Sequence, residues 1–449
     1  MNATKEFLSK IELLRKKSIP DEVYLRAQKS LLDYFAVTAA GAWFQQEKND
    51  RYFEFFSPES GESTVIGTGQ KVALKEAVFI NGLNAHALDY DDGTNSGIIH
   101  LGSPVFSLLL PLAERFDVPL DKMLRSAVIG YEVSYTLAIS IQPTHKQLGF
   151  HATGTCGVLG ATVAAACMLD YSEEEMERAF AAAGVAAAGM LKVLDEGSEL
   201  KPYNVAKSSL LALTAVQIAK AGFKGSSDVL GGERGFFKMM TQNADIKLKE
   251  MISGGTYAIQ KTYTKPYASC RYTHPAIEAA IWISEKNGIK PADISEIVVK
   301  TYSLAVRGHD HTTIPGAYSA KMSIPYSVAS GIIRGKAGLK EFTEEMVRDE
   351  AMQELTKKVR VLSDDHMSEI FPDKQMASVE IKLSDERSFS KTVEFPKGEP
   401  ENPLTDDEFK NRYEELMDYA GVDPAVSEKI YTKVFSGSEI SCKEVTALF

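Results

Sequence analysis

Cysteine is scarce and scattered: the 449 residues hold four, Cys156, Cys167, Cys270 and Cys442, and no two form a CxxC pair. That spacing argues against a disulfide framework or a zinc ribbon and fits a reducing, cytoplasmic setting. No stretch approaches the ~20 apolar residues that span a bilayer. Residues 1–17 mix charges where a signal peptide would run apolar. A protein with no membrane partner is expected. Positive charge is the minority, with 50 Lys and Arg against 61 Asp and Glu and a formal net charge of -11. Without a basic face, neither nucleic acid nor an anionic membrane is an expected partner. A small anion is still possible wherever cations converge locally. Internal repeats, low-complexity tracts, a Gly-x-Ser-x-Gly elbow and a His-Glu-x-x-His motif are also missing. What is present, 44% apolar and 25% charged residues, is the mix of a globular protein with a sizeable core.

Most of the first 260 or so residues read as helices. Pro20-Asp21-Glu22 opens one with acidic residues in its first turn. Its stripe of Tyr24, Ala27, Leu31, Phe35 and Thr38 keeps the 3.6 period, and Gly41 reads as its end. Ser103-Pro104 starts another helix, and Ser172 with Glu175 forms a capping box. Two segments rich in small residues, 154–166 and 179–189, read as central, fully buried helices. After about Tyr263 the character changes. Residues 297–301 read as a strand. Val379, Ile381 and Leu383 then alternate with polar residues, turn at 384–387, and resume as an apolar face at Phe389, Val393 and Phe395. Pro396, Gly398, Pro400 and Pro403 break regular structure before Thr405-Asp406-Asp407-Glu408 caps a last amphipathic helix. The expected fold class is mainly α with an α+β insert. A large all-helical domain built from both chain ends (1–263 and 398–449) accompanies a smaller α+β lid domain (264–397).

Three carboxylates fall within four residues, Asp89, Asp91 and Asp92, in the segment His86-Ala87-Leu88-Asp89-Tyr90-Asp91-Asp92-Gly93-Thr94. They repel one another and need a metal, a cation or water. A calcium loop is excluded, because counting from Asp89 the twelfth position is His100 where a glutamate is required. The segment reads either as a solvated acidic loop or as an acid–base site. In the second case His100 precedes a helix N-terminus that attracts anions, and a neighbouring Asp fixes its tautomer. Gly149-Phe150-His151-Ala152-Thr153-Gly154-Thr155-Cys156 only superficially resembles a phosphate loop, lacking the preceding strand and the Gly-Lys-Ser/Thr. His151 repeats the placement of His100, with a satisfied core histidine as the alternative, and Cys156 reads as a small buried residue. Lys201-Pro202-Tyr203 and Lys265-Pro266-Tyr267, with Lys207, Lys261, Arg271 and His274, together offer the positive lining a di- or tricarboxylate requires. Either alone reads as a loop with a snorkelling lysine. His309-Asp310-His311 lacks further ligands at a usual spacing and reads as an exposed loop.

Taken in order, these segments resemble the MmgE/PrpD family. His86 to Asp92 matches its His-x-x-Asp-Tyr/Phe-Asp-Asp. His100, Gly149-Phe150-His151-x-Thr-Gly-Thr, Lys201-Pro202-Tyr203, Lys265-Pro266-Tyr267 with His274-Pro275, and Ser323-Ile324-Pro325-Tyr326 follow in register. Each motif is weak alone; six in order are specific. The resemblance implies a helical domain with an α+β lid, a homodimer, and a site without cofactor or metal. It places active-site residues at Asp89, His100, His151, Lys201, Lys265 and Tyr326, with Thr94 and His274 as further substrate contacts. Gly93 lengthens the interval to His100 by one residue relative to the decarboxylases, and His100-Leu101 stands where the family has His-Pro. Both departures touch the substrate loop, so substrate identity does not carry over.

The expected activity is a cofactor-independent lyase of the dehydratase type. It would remove a proton next to a carboxylate on a small di- or tricarboxylate such as 2-methylcitrate. Lys201 and Lys265 would hold carboxylates and stabilise the developing charge. His100 and His151 would act as acid and base, Asp89 would orient a histidine, and Tyr326 would donate a proton or hydrogen bond. The same set would run a cis-aconitate-type decarboxylation or an iminodisuccinate-type epimerisation, since all three share an enolate-like intermediate. Two other classes stay open: a non-catalytic small-acid binding protein, and a divalent-metal enzyme using Asp89, Asp91 and Asp92.

Overall fold

Small side chains set how closely the helices of this chain pack. The computed structural model describes residues 2–56, 60–194, 198–436 and 440–449. It divides into two units, 1–262 with 407–449, and 263–406. The first unit is built on α1 (Ala3–Arg15), α2 (Asp21–Phe44), α3 (Leu74–His86), α4 (Gly102–Phe116), α5 (Leu120–Ile141), α6 (Ala152–Met168), α7 (Glu173–Ala186) and α8 (Lys201–Lys220). A short antiparallel pair, β1 (Ser60–Thr64) and β2 (Lys71–Val72), stands between α2 and α3. Every residue of α6 is buried, and its Gly and Ala surface lets α5 come close. At the crossing, a Cβ on Gly160 would lie 1.8 Å from Ser134 Oγ and 2.5 Å from the Gly130 carbonyl oxygen. Nothing larger than glycine fits there.

Two expectations for this unit are corrected. Gly41 does not end α2, which continues to Phe44. A Cβ at Gly41 would sit 2.0 Å from the Asn84 carbonyl oxygen, so this glycine serves the approach of α3 and not a stop. Nor is α7 fully buried. It starts at the Ser172–Glu175 capping box and buries Met176, Ala179, Phe180, Ala181 and Ala183. Its charged first turn keeps one face in water, and Val185 is 84% exposed.

The second unit carries a four-stranded sheet in the order β4-β3-β5-β6. β3 (Ile294–Thr301) runs parallel to β4 (Val359–Ser363) and antiparallel to β5 (Ala377–Leu383), which forms a hairpin with β6 (Ser388–Val393). Along β5 buried and half-buried positions alternate, as expected for a sheet with one covered face. That face packs Val299, Val379 and Ile381 against Ala280 and Ile283 of α9 (His274–Asn287) and Val328 of α10 (Ile324–Arg334). The chain is thus mainly α with a small α+β portion. Of the 309–311 segment, Asp310 is exposed and His311 half-buried in the expected loop, and His309 departs from it. His309 is buried, with its ring against Tyr272 and its Nε2 3.5 Å from Cys270 Sγ. Among the described residues no helix is long and apolar enough to cross a membrane.

Because the α5–α6 crossing has no room for a methyl group, Gly160→Ala should destabilise the protein by about 2 kcal/mol or more, despite the ~1 kcal/mol gained in helix propensity. A urea midpoint equal to wild type would show that these helices lie farther apart than described.

Candidate active site

α3 ends on His86, and the loop that follows carries the acidic cluster into the start of α4. Asp89 takes a left-handed backbone, φ 50°, a conformation Asp tolerates better than most residues. The three carboxylates meet three different sets of partners. Asp92 accepts from the Gly102 N–H at 2.9 Å and the Tyr131 hydroxyl at 2.7 Å, satisfying the first turn of α4. Asp91 is bonded by His86 Nδ1 through both oxygens, at 2.8 and 2.9 Å, and by Ser103 Oγ at 2.5 Å. Asp89 Oδ2 lies 2.8 Å from the ammonium of Lys201, the first residue of α8.

His100 sits between two of these acids. Its Nδ1 is 3.3 Å from Asp91 Oδ1 and its Nε2 is 3.7 Å from Asp89 Oδ1. The His100 backbone N–H donates to Thr153 Oγ1 at 3.1 Å, which ties the acidic loop to α6. His151 is the N-cap residue of that same helix, and its Nδ1 is buried without a hydrogen-bond partner among the described residues. The His86 ring lies 4.5 Å from that of His100 and 6.2 Å from that of His151. Four of the expected residues, Asp89, His100, His151 and Lys201, therefore share one buried cluster. Thr94 lies in the same loop, bridged to Ile99 and buried.

Burial dominates the electrostatics. It pulls the His86 imidazole down to about 4, against the opposing pull of Asp91. It also takes His151 well below the ordinary imidazole range, helped by the positive charge of Lys201. For Asp91 burial works in the other direction, but the imidazoles of His100 and His86 outweigh it and hold the carboxyl well below its usual value. Asp92, whose hydrogen bonds oppose burial less effectively, is raised to about 6. Near neutral pH, then, His86 and His151 are neutral and Asp91 is an anion. His86 Nδ1 carries the proton donated to Asp91, leaving Nε2 as a buried lone pair with no partner among the described residues.

Other contributors lay outside the sequence reading. Arg412, near the chain's C-terminal end, forms a buried ion pair with Asp33, donates to the Tyr90 carbonyl at 2.9 Å and covers the Tyr90 ring. It braces the acidic loop from more than 300 residues away, a distance no local pattern signals. Tyr131 likewise looks like an ordinary apolar position of α5.

His86, Asp89, Asp91 and His100 offer ligand atoms within 4.8 Å of one another, an oxygen and imidazole set suited to a divalent cation. Yet Asp89 already faces Lys201, and both Asp91 oxygens accept hydrogen bonds. A metal would have to displace the ammonium and strip those bonds.

The remaining expected residues belong to the second unit. Lys265 is a buried lysine at 1% exposure. His274 uses both ring nitrogens locally: Arg271 donates to Nδ1 at 2.8 Å, and Nε2 lies 3.2 Å from the Ser269 carbonyl oxygen. Arg271 in turn is paired with buried Glu399 at 2.6 Å. The Tyr326 hydroxyl donates to the Glu341 carbonyl at 2.8 Å, and burial raises its ionisation, so its proton is committed within its own unit.

Residues 5–249 match the MmgE/PrpD N-terminal domain and residues 267–435 the MmgE/PrpD C-terminal domain. A cis-aconitate decarboxylase of Mus musculus is 24% identical over 431 residues, covering 92% of this chain and 86% of that protein. One from Aspergillus terreus is 26% identical over 431 residues, covering 89% and 86%. One from Homo sapiens is 22% identical over 424 residues, covering 91% and 86%.

Removing Lys201 leaves a buried carboxylate without its counter-charge. Lys201→Met should therefore cost about 3 kcal/mol in stability, and adding Asp89→Asn should recover most of that loss. Additive single-mutant effects in chemical denaturation would refute the pairing. Asp92 supplies a pH test. A carboxyl raised from 3.8 to about 6 keeps its proton in the folded state after the unfolded chain has released it. Its contribution to stability is thus full below about pH 4 and declines as pH rises to about 6. Relative to wild type, Asp92→Asn should gain on the order of 2 kcal/mol across that window, on top of any pH-independent offset.

Proposed function

Because the chain belongs to the MmgE/PrpD family, we propose that it is a cofactor-independent lyase that moves a proton on the carbon next to a carboxylate of a small di- or tricarboxylate. The observation that carries this reading is the convergence of one ammonium, Lys201, with three imidazoles, His86, His100 and His151, in a buried pocket of charge in the first unit. The difficulty of such chemistry is the negative charge that collects on the substrate carboxylate as the adjacent C–H bond breaks. Lys201 offers a cation for that charge, and α4, α6 and α8 all begin at this cluster, their N-termini adding partial positive charge. His151 is kept neutral by burial and by Lys201, and its Nδ1, buried without a hydrogen-bond partner among the described residues, is our candidate to accept the proton. His100, flanked by two carboxylates, is suited to carry and return one. Asp89 orients both Lys201 and His100.

Of the reactions open to this set, we assign dehydration of a β-hydroxy acid such as 2-methylcitrate, with the imidazole that accepts the carbon proton then giving it to the departing hydroxyl. The second reading is decarboxylation, favoured by the activity for which the relatives are named. Against it stands the loop carrying Gly93 and His100-Leu101, which differs from the decarboxylase pattern where the substrate would be gripped. Epimerisation needs only the proton removal and return that both share. Lys201 balances the charge of Asp89, and His86 and Ser103 satisfy the Asp91 oxygens by hydrogen bonds, so the proposal involves no metal. A homodimer and a cytoplasmic setting are part of the same proposal.

The test is NMR in heavy water with citrate, 2-methylcitrate, cis-aconitate and aminodicarboxylates in turn. Deuterium should enter beside a carboxylate in at least one of them, with undiminished rate in a chelator, and the product should carry one water less. Loss of carbon dioxide instead would select the second reading. His151→Gln should abolish exchange while the melting temperature stays near wild type. Exchange with none of these acids, or a His151→Gln protein that exchanges normally, would sink the proposal.

A further inference from the structure

We infer that His86 and Asp91 are positioning residues that act on His100: His86 clamps the Asp91 carboxylate, and Asp91 holds the His100 proton on Nδ1, presenting Nε2 as the working nitrogen. Neither residue is among those that the family resemblance places in the active site. The argument rests on the proton-transfer reading above only for its kinetic consequence, since the tautomer is a property of the protein alone.

The geometry supplies the first support. Asp91 is held on both oxygens by His86 Nδ1, at 2.8 and 2.9 Å, and again on Oδ2 by Ser103 Oγ at 2.5 Å. Held by these two residues, the carboxylate stays beside the His100 Nδ1, 3.3 Å away; that nitrogen is buried and makes no hydrogen bond among the described residues, so the pull of Asp91 on its proton is electrostatic. The competing acid, Asp89, lies farther from His100, 3.7 Å from Nε2.

Charge supplies the second. Asp89 has its counter-ion in Lys201, 2.8 Å away. The groups that hold Asp91, a neutral imidazole and a serine hydroxyl, contribute hydrogen bonds but no formal positive charge. Of the two carboxylates flanking His100, Asp91 therefore keeps more of its negative potential, and the imidazole proton settles on the nitrogen facing it. The groups facing this pair from neighbouring elements are Asp89, Lys201, His151, Ser103 and, through the His100 backbone, Thr153. Lys201 pushes in the same direction, because a cation beside Asp89 disfavours a proton on the adjacent Nε2.

A third observation explains why position 86 is a histidine. Its side chain is fully buried, and Nε2 has no hydrogen-bond partner among the described residues, so the ring is retained for what Nδ1 does. Asparagine can place an N–H near Nδ1; leucine cannot.

The experiment uses full-length protein labelled with 15N-histidine, with His100→Gln to assign the His100 signals and melting temperatures to confirm folding. Long-range 1H–15N spectra near neutral pH should show His100 protonated on Nδ1 in wild type and in His86→Asn. In His86→Leu and Asp91→Asn the signals should move toward the Nε2–H form. On whichever acid the wild type exchanges, Asp91→Asn should lower kcat by ~100-fold or more with KM within ~threefold, while His86→Asn stays within ~tenfold of wild type. A wild-type His100 protonated on Nε2, or a tautomer indifferent to Asp91→Asn, overturns the inference even if one variant fails to fold. Absence of exchange in wild type would instead refute the proposed function and leave the spectra to decide this point alone.

Discussion

Three carboxylates within four residues cannot share a buried loop unless each finds a different way to be neutralised, and the first unit is organised around that constraint. Asp92 is absorbed by the start of α4 and the Tyr131 hydroxyl, Asp91 by His86 and Ser103, and Asp89 by Lys201. The solutions are not equivalent. Asp92 moves toward its neutral form, Asp91 is driven firmly into its anionic form, and Asp89 forms an ion pair. One short sequence thus yields a helix cap, a fixed negative charge and a cation anchor. The reactive groups occupy the space between the last two.

Holding these groups in register depends on packing far from the chemistry. The partners of the acidic loop come from α4, α5, α6 and α8, so an error in any helix position would separate them. Close-packed glycine and alanine contacts leave such helices little freedom to slide, because any shift drives backbone into backbone. Gly160 against Ser134 and Gly41 against Asn84 are examples. Arg412 adds a brace from the returning chain end, gripping the Tyr90 carbonyl in the middle of the loop. The buried Arg412–Asp33 pair is costly to desolvate, which suits a role in fixing geometry better than one in raw stability.

What the sequence reveals follows from the range of each interaction. The Ser172 capping box, the 377–393 hairpin and the helix starts beside His100 and His151 are local, and their residue patterns announce them. The resemblance of the motifs to the MmgE/PrpD family names Asp89, His100, His151 and Lys201 together, and the structure gathers them in one buried cluster. Which acid serves which base is not local. Asp91 and Asp89 look interchangeable along the chain; the left-handed turn at Asp89 and the hydroxyl of Ser103 separate their roles. Glycine misleads for a related reason. At Gly41 it marks a neighbouring backbone and not a chain reversal, and only the partner helix reveals which. Tyr326 and His274 show the reverse: their motifs suggest free polar ends, whereas local carbonyls and Arg271 already occupy them.

The same logic separates the groups that carry the proposed chemistry from those beside them. The proposed proton transfer needs a cation, a base and an oriented imidazole, and Lys201, His151 and His100 stand at or just before helix starts. The stretch from Gly93 to Leu101 is anchored at its borders, by Asp92 on Gly102 and by His100 on Thr153, and at its middle by Gln142, whose side chain donates to the Gly97 carbonyl at 3.2 Å, with the Thr94–Ile99 bridge closing a loop between the borders. An extra residue in that loop costs little closure entropy and disturbs none of the anchored groups. It does change what stands beside them. Ile98 adopts φ 50° and Gly97 lies against Thr94 and Ile99 too tightly for a side chain, so the loop's shape rests on its own residues as well as on the end of α5. A substrate that differs by a hydroxyl or a carboxylate can therefore be accommodated by altering this loop while His100, His151, Asp89 and Lys201 stay where they are. On the proposed reading, whether an enolate-like intermediate expels hydroxide, follows loss of carbon dioxide, or regains a proton on its other face would be decided by what the loop holds beside it.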